Sequence, residues 1–179
     1  TKVPYQANGL HAKSNDPKTW TSFAEVSKAL NNGGNFDGIG FVLSPQDNFT
    51  GIDLDKCRDP QTGAIEPWAQ NIIRGINSYT EVSPSGTGIR IFVKDAQLPE
   101  HGRKKGKIEI YETGRYLTLT GHRVEGTPGT IEGRQDQVIR FHKAVFDQKP
   151  KEAQERPIPP VVVANRSDEA LLARMFQAR

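Results

Sequence analysis

The segment Ile52-Asp53-Leu54-Asp55 constrains this chain more than any other four residues. Aliphatic and acidic residues alternate with a period of two, which is the period of a β-strand. Read as a strand, it turns Ile52 and Leu54 into a core and projects Asp53 and Asp55 together from the opposite face. Two carboxylates held roughly 5–7 Å apart on rigid backbone repel each other unless a cation lies between them. Oxygen ligands of this kind suit Mg²⁺ or Mn²⁺. The same four residues would also serve as a solvated strand edge, so the surrounding sequence has to decide.

That surrounding sequence reads as an α+β domain followed by a tail, within 179 residues. Asp16-Pro17 reads as a helix start, with Trp20, Phe23, Ala24, Ser27 and Leu30 at helical spacing and Asn31-Asn32-Gly33-Gly34 as its stop. Strands over 38–43 and 50–55 flank a turn at 44–48, which predicts a hairpin. A helix runs from Pro67 to Ile76, and a short strand covers 79–82. Ile89 to Lys94 reads as a strand in strict alternation. Lys107 to Tyr111 and Arg115 to Thr120 read as a second hairpin around Glu112-Thr113-Gly114. Gln135 to Phe146 is a helix with Val138, Phe141, His142 and Val145 on one stripe. After Gln148 the composition changes, with four prolines in 149–160. We expect a folded unit over 1–148, a linker over 149–166 and, over 167–179, the start of a helical region. The chain opens on Thr1 rather than methionine, so upstream sequence is also expected.

Composition excludes some classes. No apolar run approaches the ~20 residues of a membrane helix, and no secretory signal opens the chain. A lone Cys57 forms no internal disulfide and fits a reducing, cytoplasmic compartment, in a bacterium or a phage-infected host. The net charge of +3 is only mildly basic, but its distribution is uneven. Arg103, Lys104, Lys105 and Lys107 crowd together beside His101, away from Asp53, Asp55 and Glu109, as suits contact with a phosphate backbone.

Three further constellations carry chemistry. In Lys107-Ile108-Glu109-Ile110-Tyr111, alternation puts Lys107, Glu109 and Tyr111 on one face. A third carboxylate on a neighbouring strand would complete a two-metal site for phosphoryl or nucleotidyl transfer, although an ordinary amphipathic strand has the same pattern. The run Ser83-Pro84-Ser85-Gly86-Thr87-Gly88-Ile89-Arg90 combines small hydroxylated residues, glycines and a following guanidinium. Such a loop lets backbone N–H groups approach a phosphate, and it equally serves as a turn. In Gly114-Arg115-Tyr116-Leu117-Thr118-Leu119-Thr120-Gly121-His122, Arg115 and His122 sit at the two ends of a strand, within reach of a nucleotide bound beside Glu109.

Taken in order, these segments resemble the archaeo-eukaryotic primase superfamily in its phage and plasmid primase-polymerase branch. That family carries an Asp-x-Asp on a strand, a serine-glycine loop leading into a second strand, and a third acidic residue on a later strand. Ile52 to Asp55, Ser83 to Arg90, and Ile108 to Tyr111 with Gly114-Arg115-Tyr116 match this series. Thr1-Lys2-Val3-Pro4-Tyr5 and Asp16-Pro17 to Trp20 match the family's N-terminal segment. The resemblance covers roughly residues 1–146.

The resemblance implies a mixed or antiparallel sheet like that of the RNA-recognition motif, backed by helices, forming a primase-polymerase catalytic core. It implies that Asp53, Asp55 and Glu109 hold two Mg²⁺ or Mn²⁺ ions, one activating a 3′-hydroxyl and the other binding an incoming dNTP or NTP. Ser83, Ser85, Gly86, Thr87, Gly88, Arg90, Lys107, Arg115 and His122 would form the nucleotide-binding set. Arg103, Lys104 and Lys105 would track a single-stranded DNA template, and a helicase region would follow downstream. Two departures stand out. Arg90 occupies the position where many relatives carry histidine, and the tryptophan-containing strand that usually precedes the N-terminal segment is not in this sequence. Two other readings stay open: a metal-dependent nuclease using Asp53, Glu109 and Lys107, and a non-catalytic nucleic-acid-binding module of the same fold.

Overall fold

The computed structural model describes residues 2–33 and 35–147. In chain order the elements are α1 (Phe23–Asn31), β1 (Ile39–Leu43), β2 (Phe49–Leu54), α2 (Pro67–Ile76), β3 (Thr80–Val82), β4 (Ile89–Lys94), β5 (Lys104–Lys105), β6 (Ile108–Tyr111), β7 (Arg115–Leu119), β8 (Glu132–Gly133) and α3 (Gln135–Phe146). This is a mixed α+β fold, as expected. The linker over 149–166 and the helical start over 167–179 lie outside the described residues.

A six-stranded sheet is built around β2, which pairs antiparallel with β4 on one side and β6 on the other. Strand β3 extends it beyond β4, β5 beyond β6, and β8 runs parallel to the end of β4. Ile52, Leu54, Ile89, Ile91, Val93 and Ile110 face one way and pack against Ala69, Ile73 and Ile76 of α2 and Val138 of α3. Pro67 opens α2 at a position where its missing N–H would have had no intrahelical partner, and Asn77 ends the helix in the left-handed conformation with φ 51°.

The opposite face is divided in two. One half is covered by a two-stranded sheet in which β1 pairs antiparallel with β7. Leu43 and Leu117 of this layer pack on Phe92, joined by Phe41, Phe49, Tyr79, Tyr111 and Leu119. The layers meet most closely at Gly51, where a Cβ would lie 2.2 Å from Leu117 Cδ1. The other half carries the charged residues described below.

This layering corrects both expected hairpins. β1 pairs with β7 rather than β2, and β7 pairs with β1 rather than β6. Both edges of β2 are already taken by β4 and β6, so β1 has no ladder to join there. It also explains why β4 is buried along Ile89 to Val93 rather than on alternate residues, since both faces of that strand are covered. At the N-terminus, Asp16 caps only a single 3₁₀ turn, Pro17–Thr19, and Trp20 lies outside any helix with its Nε1 donating to Lys13 O at 2.6 Å. The helix begins at Phe23, where Ser22 and Glu25 form a reciprocal capping box.

Candidate active site

Register places five charged residues in one row across the sheet. Glu81 of β3 pairs with Arg90 of β4, Arg90 with Asp53 of β2, Asp53 with Glu109 of β6, and Glu109 with Lys104 of β5. Directly opposed residues in antiparallel strands have Cβ atoms about 4.5–5.5 Å apart. The row therefore sets Asp53 between one cation and one anion, on the face away from α2 and α3.

Arg90 Nε stands 3.5 Å from Asp53 Oδ1, with side chains 5% and 21% exposed. That is an ion pair too long for a hydrogen bond. Both atoms are buried without a hydrogen-bond partner among the described residues. The Arg90 guanidinium is held instead by donation to Thr118 O. Burial pushes the Asp53 carboxyl above its ordinary pKa. Arg90 opposes that shift, and Asp55 and Glu109 add to it. Burial also pushes Glu109 up, but hydrogen bonds from Lys104 and Tyr111 and the charges of Lys104 and Arg115 outweigh it, so the net shift is downward.

Asp55 lies one residue past β2 and is exposed; its N–H donates to Lys107 O at 2.8 Å, which continues the ladder. Alternation keeps its side chain on the Asp53 face. Asp53 and Glu109 are thus direct cross-strand neighbours near the ends of β2 and β6, with Asp55 one residue beyond β2. The buried Asp53 Oδ1 faces Arg90, and the all-oxygen donor chemistry of Asp53, Asp55 and Glu109 is of the kind that suits a hard divalent cation.

The serine-glycine loop closes on itself. Ser83 N–H donates to Gly88 O at 2.9 Å, Gly86 N–H to Ser83 O at 2.8 Å and Gly88 N–H to Ser83 Oγ at 3.1 Å. A Cβ at Gly88 would lie 2.9 Å from Leu54 O, so glycine is what lets the loop seat against the end of β2. The hydroxyls of Ser85 and Thr87 bond to each other at 2.9 Å at the rim. These internal bonds occupy amides that sequence reasoning assigned to a phosphate and leave the hydroxyls as the exposed polar groups.

The remaining sequence-predicted residues disperse. Arg115 lies over the Tyr111 ring, 4.6 Å from its centroid, and donates to Tyr111 Oη at 3.0 Å, next to Glu109. His122 is exposed just past β7. Lys107 turns away from the row: its Nζ donates to Lys56 O at 3.0 Å and lies 3.6 Å from Glu66. Of the basic loop, Lys104 pairs with Glu109, Arg103 with Glu112 at 3.2 Å, and Lys105 donates to Val145 O at 2.6 Å.

Two residues were missed by sequence reasoning. Glu81 is 1% exposed and accepts from the N–H groups of Thr120 and Gly121 at 3.0 and 3.1 Å, so it fixes the segment leading to His122. No local pattern marked it. Lys2 belongs to the N-terminal segment whose family likeness was noted without a role. Its carbonyl accepts from Tyr116 Oη at 2.7 Å. Burial and the charge of Arg90 push its ammonium pKa down, and the charges of Asp53 and Asp55 oppose that.

No family model matches this chain. Over 133 residues, 70% of its length, it is 40% identical to the DNA Primase-polymerase of Nitratiruptor phage NrS-1. The chain is thus similar to one stretch of a phage-type DNA primase-polymerase. The match amounts to 18% of that phage protein, so the chain spans under a fifth of its relative's length. Among the described residues, no helix is long and apolar enough to cross a membrane.

Proposed function

We propose that this chain performs template-directed nucleotidyl transfer, as a DNA primase, a DNA polymerase or both, in the replication of a phage or related mobile element. The observation that carries this reading is the in-register row Arg90–Asp53–Glu109 with Asp55 beside it, in a chain 40% identical to a phage primase-polymerase. A sheet with α2 and α3 on one face and the acidic row on the other supports an RNA-recognition-motif-like catalytic core over residues 1–148.

Asp53, Asp55 and Glu109 would hold two Mg²⁺ or Mn²⁺ ions, which would supply charge neutralisation at the attacking and leaving oxygens. The protein's own part is to hold the three carboxylates on rigid strands and to bring donors to a triphosphate. Arg90, backed by Thr118 O, supplies a fixed guanidinium. Ser85 and Thr87 offer hydroxyls from the rim of the loop whose Ser83, Gly86 and Gly88 shape it. Arg115 and His122 border the same face. Lys104, now paired with Glu109, would be available to template phosphate, alongside Arg103 and Lys105, if Glu109 held a cation. A helicase region downstream would supply the single strand.

Lys107 is engaged by Glu66 and Lys56 O rather than joining the row, which weighs against the acid-acid-lysine set of a nuclease. The deciding experiment is primer extension on a single-stranded template with dNTPs and Mn²⁺ or Mg²⁺, comparing the chain with Asp53→Ala. Extension lost in the variant supports the reading. Metal-dependent cleavage without nucleotides would favour a nuclease. No extension by either protein, with DNA affinity intact in both, would favour a binding module.

A further inference from the structure

Beyond β5, where the basic loop over 95–106 meets the end of α3, three potential ligands gather: His101, His142 and Asp147. One ligand atom from each lies within 4.8 Å of the other two. They come from two separate segments, which are tied together by Lys105 Nζ donating to Val145 O at 2.6 Å. Gly102, at φ 73°, fits so closely against α3 that a Cβ there would lie 2.6 Å from Phe146 Cβ.

His142 is fully buried. Its Nε2 lies 2.8 Å from His101 O and 3.0 Å from Gly102 O. Carbonyl oxygens only accept, so Nε2 carries the proton of the neutral ring and Nδ1 is left with a lone pair. Nδ1 is buried with no hydrogen-bond partner among the described residues. An ion pair between His101 Nε2 and Asp147 Oδ1, 2.9 Å apart, accounts for those two side chains and leaves the His142 nitrogen unexplained. A metal-ligating histidine commonly donates its other ring N–H to a backbone carbonyl, and His142 shows that arrangement.

We propose that His101, His142 and Asp147 form a structural site for one Zn²⁺-class cation that clamps the basic loop to α3. Two imidazoles and a carboxylate suit zinc, with water completing the shell. Ligands of a tetrahedral zinc stand roughly 3.3 Å apart, so no pair of these atoms has to close by more than about 1.5 Å. The exposed side chains of His101 and Asp147, 68% and 42% accessible, are free to make that movement. The site is independent of Asp53, Asp55 and Glu109. Its consequence is to fix the segment carrying Arg103, Lys104 and Lys105.

The test is a titration of the tag-free full chain with Co²⁺, then Zn²⁺, with Asp53→Asn and Asp55→Asn in place so that the acidic pair does not compete. We expect one Co²⁺ per chain, with the visible d–d absorption of a nitrogen-ligated ion, and its displacement by Zn²⁺. His101→Ala and Asp147→Asn, both at exposed positions that spare the core, should each weaken binding at least about tenfold. Absence of the absorption, or an affinity unchanged in these two variants, overturns the proposal.

Discussion

Asp53 faces Arg90 on one neighbouring strand and Glu109 on the other, and its Oδ1 stands 3.5 Å from Arg90 Nε without a hydrogen bond to anything described. The carboxylate is therefore held in place and only partly compensated. Such a group costs stability in the metal-free protein and is compensated when a cation arrives.

Asp53→Asn separates these two effects. Burial raises the folded-state pKa of Asp53, so the folded chain holds the proton more tightly than the unfolded chain. Stability from this group is then present at low pH, falls as pH climbs from the ordinary carboxylate value through the raised one, and is absent at neutral pH. Asparagine mimics the protonated acid, so the metal-free variant should melt no lower than the parent at pH 7. Mg²⁺ or Mn²⁺ at a hundredfold excess over its Kd should stabilise the parent by about 2.7 kcal/mol, roughly 5–10 °C. The variant should show little of that shift, and its extension rate should drop by about three orders of magnitude, or about 4 kcal/mol. Calorimetry with and without metal, beside single-turnover extension, reads both.

Glu81→Ala should be a folding lesion with a functional echo. It strands the N–H groups of Thr120 and Gly121 and removes one end of the charged row. We expect a loss of about 3 kcal/mol by denaturant titration, with Glu81→Gln milder because an amide oxygen still accepts. In the surviving folded fraction, misplacement of His122 should raise the nucleotide KM more than it lowers kcat.

Cys57 should be inert in the native chain. It is fully buried, its Sγ lies 3.2 Å from Leu54 O, and burial, with Glu66 adding to it, pushes the thiol up to about 11. A maleimide at pH 7.5 should label it only after denaturation, although it lies just two positions beyond Asp55. Rapid labelling of the folded chain would show that the end of β2 opens.

Gly51→Ala tests the contact between the two sheets. The added methyl falls 2.2 Å from Leu117 Cδ1 and 3.5 Å from Leu43 Cδ1. Overpacking of this size costs about 1–3 kcal/mol. Leu117→Val in the same chain should recover part of that loss, giving a coupling energy above about 0.5 kcal/mol in a double-mutant cycle. Purely additive losses would place the strain elsewhere.

The geometry of the candidate site was legible where local pattern and register coincide. The alternation in Ile52 to Asp55 and in Ile108 to Tyr111 set the facing of Asp53 and Glu109, and the structure pairs those two residues directly. Helices α2 and α3 were legible through their apolar spacing. Strand partners were not, because β1 and β7 meet across a long stretch of chain and nothing local records that choice. Lys107 was misjudged for a related reason: parity gave its strand face, but Glu66, near in space and far in sequence, sets where the ammonium goes. Glu81 escaped notice because a single buried acid in a three-residue strand carries no period.

The position of Lys2 has a practical reach. Its backbone is tied to Tyr116, and its ammonium feels the charges of Asp53, Asp55 and Arg90. Anything fused ahead of it emerges beside the acidic face. An oligohistidine tag at that end would carry nickel or cobalt to those carboxylates, and a metal dependence measured on such a preparation would describe the purification handle as much as the enzyme.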